Sequence, residues 1–139
     1  MHRIEWTNQL SVGVPLIDSQ HKELIRICNG LLSAVAKKRG ERVLRNVVRR
    51  LREYTVFHFS SEERFMDKVR FPGRGGHALE HERLKRSVKR YQRLLYERED
   101  LTADEVLRFL KGWLLKHILS QDFELADYVH AHGMADIQL

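Results

Sequence analysis

Four stretches of the chain repeat apolar residues at three- and four-residue steps, the period of a helix that buries one face. Leu24, Ile25, Cys28, Leu31, Leu32 and Val35 form the first stripe, with Asp18 placed to cap its start. Lys37, Lys38 and Arg39 put cations in a last turn, and Gly40 follows where the chain must leave the helix. A second stripe runs from about Glu41 to Lys68 through Leu44, Val47, Val48, Leu51, Tyr54, Thr55, Phe65 and Met66. Arg70 to Gly76, RFPGRGG, is the clearest loop in the chain. A third helix is predicted from near His77 to about Arg98 through Leu84, Val88, Tyr91, Leu94 and Leu95. Thr102, with Glu105 three residues on, forms a capping box that opens a fourth helix. That helix carries Val106, Phe109, Leu110, Trp113, Leu114 and Ile118, and is predicted to end near Tyr128 to His130.

Residues 1–16 contain Trp6, Val12, Gly13, Val14 and Pro15 without a helical period, and read as an extended arm anchored by Trp6. Four long helices with short connections predict an all-α fold, an antiparallel up-down-up-down four-helix bundle over 17–130, with 131–139 a frayed tail. The 139 residues are expected to form one domain. Hydrophobic residues make up 42% and charged ones 32%, with only 8 Gly and 2 Pro, which disfavours disorder and β-structure. The single cysteine, Cys28, rules out an internal disulfide. No apolar run is long enough to span a membrane, and MHRIEWTNQL lacks the apolar core of a signal peptide, so a cytoplasmic location is expected.

A net charge of +6 and a pI near 9.7 raise nucleic acid or an anionic membrane surface as partners. The cations, however, occur on separate segments, Arg45, Arg49, Arg50 and Arg52, then Lys85, Arg86, Lys89, Arg90 and Arg93, mostly interleaved with apolar positions. Solvated outer faces of bundle helices have this pattern, so no nucleic-acid partner is expected.

Seven polar residues interrupt the buried stripes: His21, His58, Glu62, His77, His81, His117 and Asp122. His58 with Glu62, and His77 with His81, lie one helical turn apart on one face. His117 and Asp122, five residues apart, diverge by about 140° on an ideal helix, so the helix there must overwind or bulge, or the ions must lie between the two side chains. A carboxylate on an apolar stripe is costly unless it is paired or binds a metal, which singles out Glu62 over its neighbour Glu63, read as solvent-facing or as a support behind the metal ligands. In the predicted topology all seven groups arrive at the same end of the bundle. Five imidazoles and two carboxylates are too many for one tetrahedral zinc and suit two six-coordinate ions. Manganese or zinc could occupy the same donors. Cys28 sits about 10 Å along the helix from His21 and reads as core. His2, His130 and His132 are expected to be exposed, outside the centre.

The runs HFSSE (58–62), HALEH (77–81) and HILSQD (117–122), with IDSQH ending at His21, resemble the hemerythrins, specifically the single-domain bacterial type. Trp6, SVGVPLIDSQHKEL and WLLKHI extend the resemblance over nearly the whole chain. It implies two non-heme iron ions, one held by His77, His81 and His117, the other by His21 and His58. Glu62 and Asp122 would bridge them together with an oxo or hydroxo group. One position on the second iron stays open, and dioxygen is expected to bind there reversibly, for storage, delivery or sensing. No side-chain acid or base is required. Trp113 and Leu114 match the apolar positions that shield the pocket in the family. The ferritin-type Glu-x-x-His pair is absent. Two other readings use the same residues: a di-iron redox enzyme reducing peroxide or nitric oxide, and a partner-binding module that keeps a metal structurally. A protein partner could take up the oxygen or supply a signalling output.

Overall fold

The computed structural model describes residues 3–97 and 101–134. Helices α1 (Pro15–Ala36), α2 (Gly40–Val69) and α3 (Arg74–Tyr96) are followed by a fourth rod built from three pieces. These are α4 (Ala103–Lys116), a π-helical turn (His117–Asp122) and α5 (Phe123–Ala131). No strand occurs among the described residues. The fold is the expected all-α, up-down-up-down four-helix bundle, with α1 packed on α2 and α4, and α2 packed on α3. Its core falls into two apolar clusters. The larger includes Leu24, Leu31, Leu51, Phe59, Leu110 and Leu114, and the smaller gathers Val14, Ile17, Phe65, Met66, Leu125 and Val129. Along α1 and the fourth rod the polar stripe residues fall in sequence between one cluster and the other, as Glu62 does on α2.

The helix ends differ in detail from the sequence reading, and each difference has a local cause. α1 begins at Pro15, which is favoured in a first turn, so Asp18 lies inside the helix rather than capping it. Its carboxylate instead accepts from the Val12 amide at 2.8 Å and the Ser11 hydroxyl at 2.5 Å, closing the arm onto the helix. The left-handed residue after α1 is Lys38, with φ 58°, not Gly40. The Arg39 amide donates to Ala34 and that of Lys38 to Val35, which is a Schellman ending. Arg70, at φ 57°, ends α2 in the same way, its own amide donating to Asp67 and that of Phe71 to Met66. Gly40 serves a different purpose: a Cβ there would lie 2.9 Å from both the Ala103 Cβ and Val35 Cγ2. It lets the start of α2 approach the start of α4. The loop after α2 is shorter than expected, because Gly75 and Gly76 already belong to α3. Thr102 caps α4 as read, its side chain accepting from the Glu105 amide at 3.2 Å.

The N-terminal arm is held less by Trp6, which is only half-buried, than by a side-chain clamp. The Asn29 amide donates to the Ile4 carbonyl at 2.8 Å and accepts from the Ile4 amide at 2.9 Å. Val12 and Val14 are buried further along. His130 remains exposed but donates through Nε2 to the Val12 carbonyl at 3.0 Å, its ring lying over Gly13, whose φ of +71° also favours glycine. His132 is exposed, and His2 lies outside the described residues. The helix end continues in order to Met134, whose amide donates to Val129, while the rest of the expected tail and Arg98 lie outside the described residues. Among the described residues no helix is long and apolar enough to cross a membrane.

These ends separate two roles that glycine and lysine have exchanged. Lys38→Gly is expected to raise unfolding stability by about 1 kcal/mol by relieving the left-handed strain. Gly40→Ala should lower it by about 1–3 kcal/mol through overpacking. Urea unfolding measures both, and a neutral Gly40→Ala would contradict the close approach.

Candidate metal centre

Each helix delivers its polar residues for a local geometric reason. In α2, His58 and Glu62 sit one turn apart and share the buried face with Phe59 and Phe65. In α3, His77 and His81 occupy the first two turns. The fourth rod resolves the five-residue spacing by bulging: its π-helical turn spans the six residues from His117 to Asp122. A backbone that bonds from i to i+5 aligns residues five apart, so the turn aims both side chains inward. All seven side chains are buried, and His21, His58, Glu62, His81 and Asp122 have no accessible surface.

The donors form two overlapping sets, each with ligand atoms within 4.8 Å of one another. One comprises His21, His58, Glu62, His117 and Asp122, and the other Glu62, His77, His81 and His117. Glu62 and His117 belong to both sets, and Asp122 reaches from the first toward His77. Glu62 Oε1 touches His77 Nε2 and lies 3.2 Å from His81 Nε2, while Oε2 lies 3.5 Å from His58 Nε2. Asp122 Oδ1 is 3.1 Å from His77 Nε2, while Oδ2 is 2.6 Å from His21 Nε2 and 3.1 Å from His117 Nε2. Glu62 therefore presents one oxygen to each side of the cluster, and Asp122 reaches His77 with one oxygen and both His21 and His117 with the other.

These contacts are close, but several are poorly aligned as hydrogen bonds. His21 Nε2, His58 Nε2, His77 Nε2, His117 Nε2, Glu62 Oε2 and both Asp122 oxygens are buried without a hydrogen-bond partner. Buried polar atoms are rarely left so, and lone pairs converging without donors between them are the arrangement a cation satisfies. The electrostatics agree. Burial drives the His58 imidazole down to about 3, leaving it a neutral donor. Burial also opposes charge on His77, yet Asp122 and Glu62 outweigh it and lift the imidazole to about 10. His117 is raised in the same way, chiefly by Asp122. Burial and mutual repulsion push the carboxyls up, but Glu62 is held below its ordinary value by His77 and His81, and Asp122 well below by His117 and His21. Two buried carboxylates thus draw positive charge into the cluster.

Two supporting residues were not singled out as orienting groups by the stripe pattern. Gln20, 3% exposed, places Oε1 2.6 Å from His58 Nδ1, and Glu63 Oε2 lies 3.0 Å from His81 Nδ1. Each fixes which ring nitrogen faces the cluster. Of the two readings open for Glu63, solvent-facing or supporting, the half-buried position against His81 fits the second, and the only sequence signal was its place beside Glu62. Phe59 stacks on the His81 ring at 3.9 Å and 10°. Trp113 lies 6.0 Å from both the His117 and Phe59 rings, and Leu114 is fully buried beside them in the larger core cluster. Cys28 joins neither donor set and packs in the same cluster.

Comparison with known proteins places this geometry. Residues 12–129 match the Hemerythrin HHE cation binding domain. The chain is 32% identical over 132 residues to a bacteriohemerythrin of Stenotrophomonas maltophilia, covering 95% of this chain and 85% of that protein. It is 30% identical over 137 residues to one from Pseudomonas paraeruginosa, covering 99% of this chain and 88% of that one. A crystal structure of a hemerythrin mutant superposes with a TM-score of 0.83 at 26% identity, over 92% of this chain and 98% of that one.

Burial pushes the Cys28 thiol up to about 11, so it stays neutral well above pH 7. In the unfolded chain it ionises near about 8.5, so its contribution to stability falls as pH rises from that value toward the folded one. A thiol-specific disulfide reagent at mildly alkaline pH should modify Cys28 only after denaturation. Rapid modification of the native protein would contradict its assignment to the core.

Proposed function

The chain belongs to the hemerythrin family, and on that premise we propose that it holds two iron ions per chain and binds dioxygen reversibly. The observation that carries this reading is the pair of overlapping donor sets with Glu62 between them, its Oε1 toward His77 and His81 and its Oε2 toward His58, while Asp122 turns Oδ1 to His77 and Oδ2 to His21 and His117. Two carboxylates so placed serve two ions better than one. His77, His81 and His117 are assigned to one ion, His21 and His58 to the other, with Glu62 and Asp122 bridging. The set with two imidazoles leaves room for a small ligand. When bound, the iron pair supplies the electrons that reversible dioxygen binding requires.

The chain's own residues set the conditions. Burial keeps His58 neutral and ready to donate its Nε2 lone pair, with Gln20 engaging the opposite nitrogen. Glu63 orients His81 in the same way, and its negative charge strengthens that imidazole as a donor. Trp113, Leu114 and Phe59 form an apolar wall beside His117 and His81, which keeps water and reductants from the site. No side chain is assigned a catalytic task, so the reading is an oxygen-binding protein rather than an enzyme, working in the cytoplasm. Storage, delivery and sensing all use this same chemistry.

The test is a visible spectrum of anaerobically reduced, iron-loaded protein, taken before air, after air, and after oxygen is removed. A charge-transfer band should appear with oxygen and vanish on its removal. Irreversible conversion on the first exposure, or catalytic consumption of peroxide or nitric oxide, would overturn the carrier reading in favour of a redox enzyme. Leu114→Ala should shorten the lifetime of the oxygenated form severalfold, because the wall then admits water. Gln20→Ala and Glu63→Ala should each weaken iron retention against a chelator by about 10–100-fold, and unchanged retention would remove their orienting role.

A further inference from the structure

Aromatic side chains form a continuous path from the metal centre to the outside of the bundle. Phe109, Trp113 and His117 recur every four residues along one face of the fourth rod. Trp113 lies 6.0 Å from His117 with the ring planes at 25°, and Phe109 lies 6.4 Å from Trp113 at 10°. Tyr91 on α3 completes the path, 5.0 Å from Phe109. A branch joins the same indole to His81 through Phe59, which is 6.0 Å from Trp113 and stacked on the imidazole. Both inner ends are therefore histidines of the three-imidazole set. Exposure falls inward along the path: Tyr91 and Phe109 are half-buried, whereas Trp113 is 7% and His117 2% exposed.

The two oxidisable members, an indole inside and a phenol outside, sit in different surroundings. The Trp113 Nε1–H is buried without an acceptor among the described residues. An indole that loses an electron there has no base to take its proton, so it stays a strong oxidant and passes the loss on. Tyr91 is the opposite case, because an oxidised phenol gives up its proton and this one meets solvent. Partial burial, and then the nearby Glu105 carboxylate, raise the phenol above its ordinary value against Arg90, so it is protonated at neutral pH and has a base at hand. Tyr128 also has an aromatic route to the centre, 5.4 Å from Phe71, which lies 6.4 Å from His77. That route contains no indole. The Tyr128 hydroxyl, moreover, donates to the Val69 and Arg70 carbonyls at 2.8 Å and 3.1 Å, which cannot take its proton.

We propose that Trp113 and Tyr91, with Phe109 between them, carry oxidising equivalents away from the metal centre when hydrogen peroxide reacts there. This relay needs iron in the cluster, the reading proposed above, but not reversible dioxygen binding. Reduction of hydrogen peroxide to two water molecules takes two electrons and two protons. One electron comes from a ferrous ion and the other from Tyr91, relayed through Trp113. Tyr91 loses its phenol proton to Glu105 or solvent and is left as a neutral tyrosyl radical, while the two protons that complete the water molecules come from solvent. Without the relay, the second electron would be drawn from the nearest side chain, a ligand imidazole. At the surface a small thiol restores Tyr91 by returning one electron and one proton.

The test adds one equivalent of hydrogen peroxide anaerobically to ferrous, iron-quantified full-length protein, which is freeze-quenched for electron paramagnetic resonance and digested for mass spectrometry. A tyrosyl radical should form, vanish in Tyr91→Phe, fall severalfold in Trp113→Phe and stay unchanged in Tyr128→Phe. Oxidation of His117 and His81 should rise in the first two variants. A second arm needs no iron, so it separates failure of the relay from failure of the iron reading. Zinc-loaded Trp6→Phe protein keeps Trp113 as its single indole, and azide radicals from pulse radiolysis oxidise indole in preference to phenol. The indole radical should decay as a tyrosyl radical grows, at a rate independent of protein concentration, and Tyr91→Phe in the same background should slow that decay severalfold. Circular dichroism confirms that each variant is folded. A tyrosyl signal that survives Tyr91→Phe, is indifferent to Trp113→Phe or is lost in Tyr128→Phe would overturn the proposal. So would an indole radical in the zinc-loaded protein that decays alike with and without Tyr91.

Discussion

Two carboxylates buried at one level of a helical bundle are the constraint on which the rest of this structure depends. Glu62 and Asp122 have no accessible surface, and isolated charge in such a place is prohibitively costly. The protein surrounds them with imidazoles, which can share a proton or give way to a metal ion. Among these side chains, charge is drawn onto His77 and His117 while His58 is driven neutral. Ions bound among the same donors would supply that positive charge permanently. Metal binding would therefore be coupled to core formation, since Glu62 and its neighbours lie between the larger apolar cluster and the smaller one.

The bundle solves the positioning problem mostly with ordinary helix geometry. His58 and Glu62, like His77 and His81, need nothing beyond a straight helix and the correct phase. His117 and Asp122 need a departure from it. The π-helical turn is a local irregularity that recurs at functional sites because it redirects side chains that a regular helix would separate. Gln20 and Glu63 then hold two of the rings from behind. In hemerythrin-family terms, the fold supplies a rigid frame and the polar layer supplies the chemistry.

The sequence exposes the frame and the seven clustered residues more readily than their supports. Helical periodicity is a strong signal over twenty or more residues, and antiparallel topology alone carries His21, His77 and His81 to the same end as His58, Glu62, His117 and Asp122. Helix ends are weaker signals, because one residue type serves several purposes. Gly40 resembled a helix terminator, but it is needed for contact with Ala103, while Lys38 takes the left-handed position at some strain. Asp18 resembled a cap and instead ties the arm through Val12 and Ser11. Glu63 could not be distinguished from a solvated acid, since its role is set by His81 on a different helix.

The central claim is that this polar layer is a two-ion site. Its most direct test is an anaerobic titration of ferrous iron into chelator-stripped protein, measuring bound iron per chain after removal of free metal. The account predicts saturation at two ions per chain. Saturation at one ion, or uptake that never saturates, would contradict it.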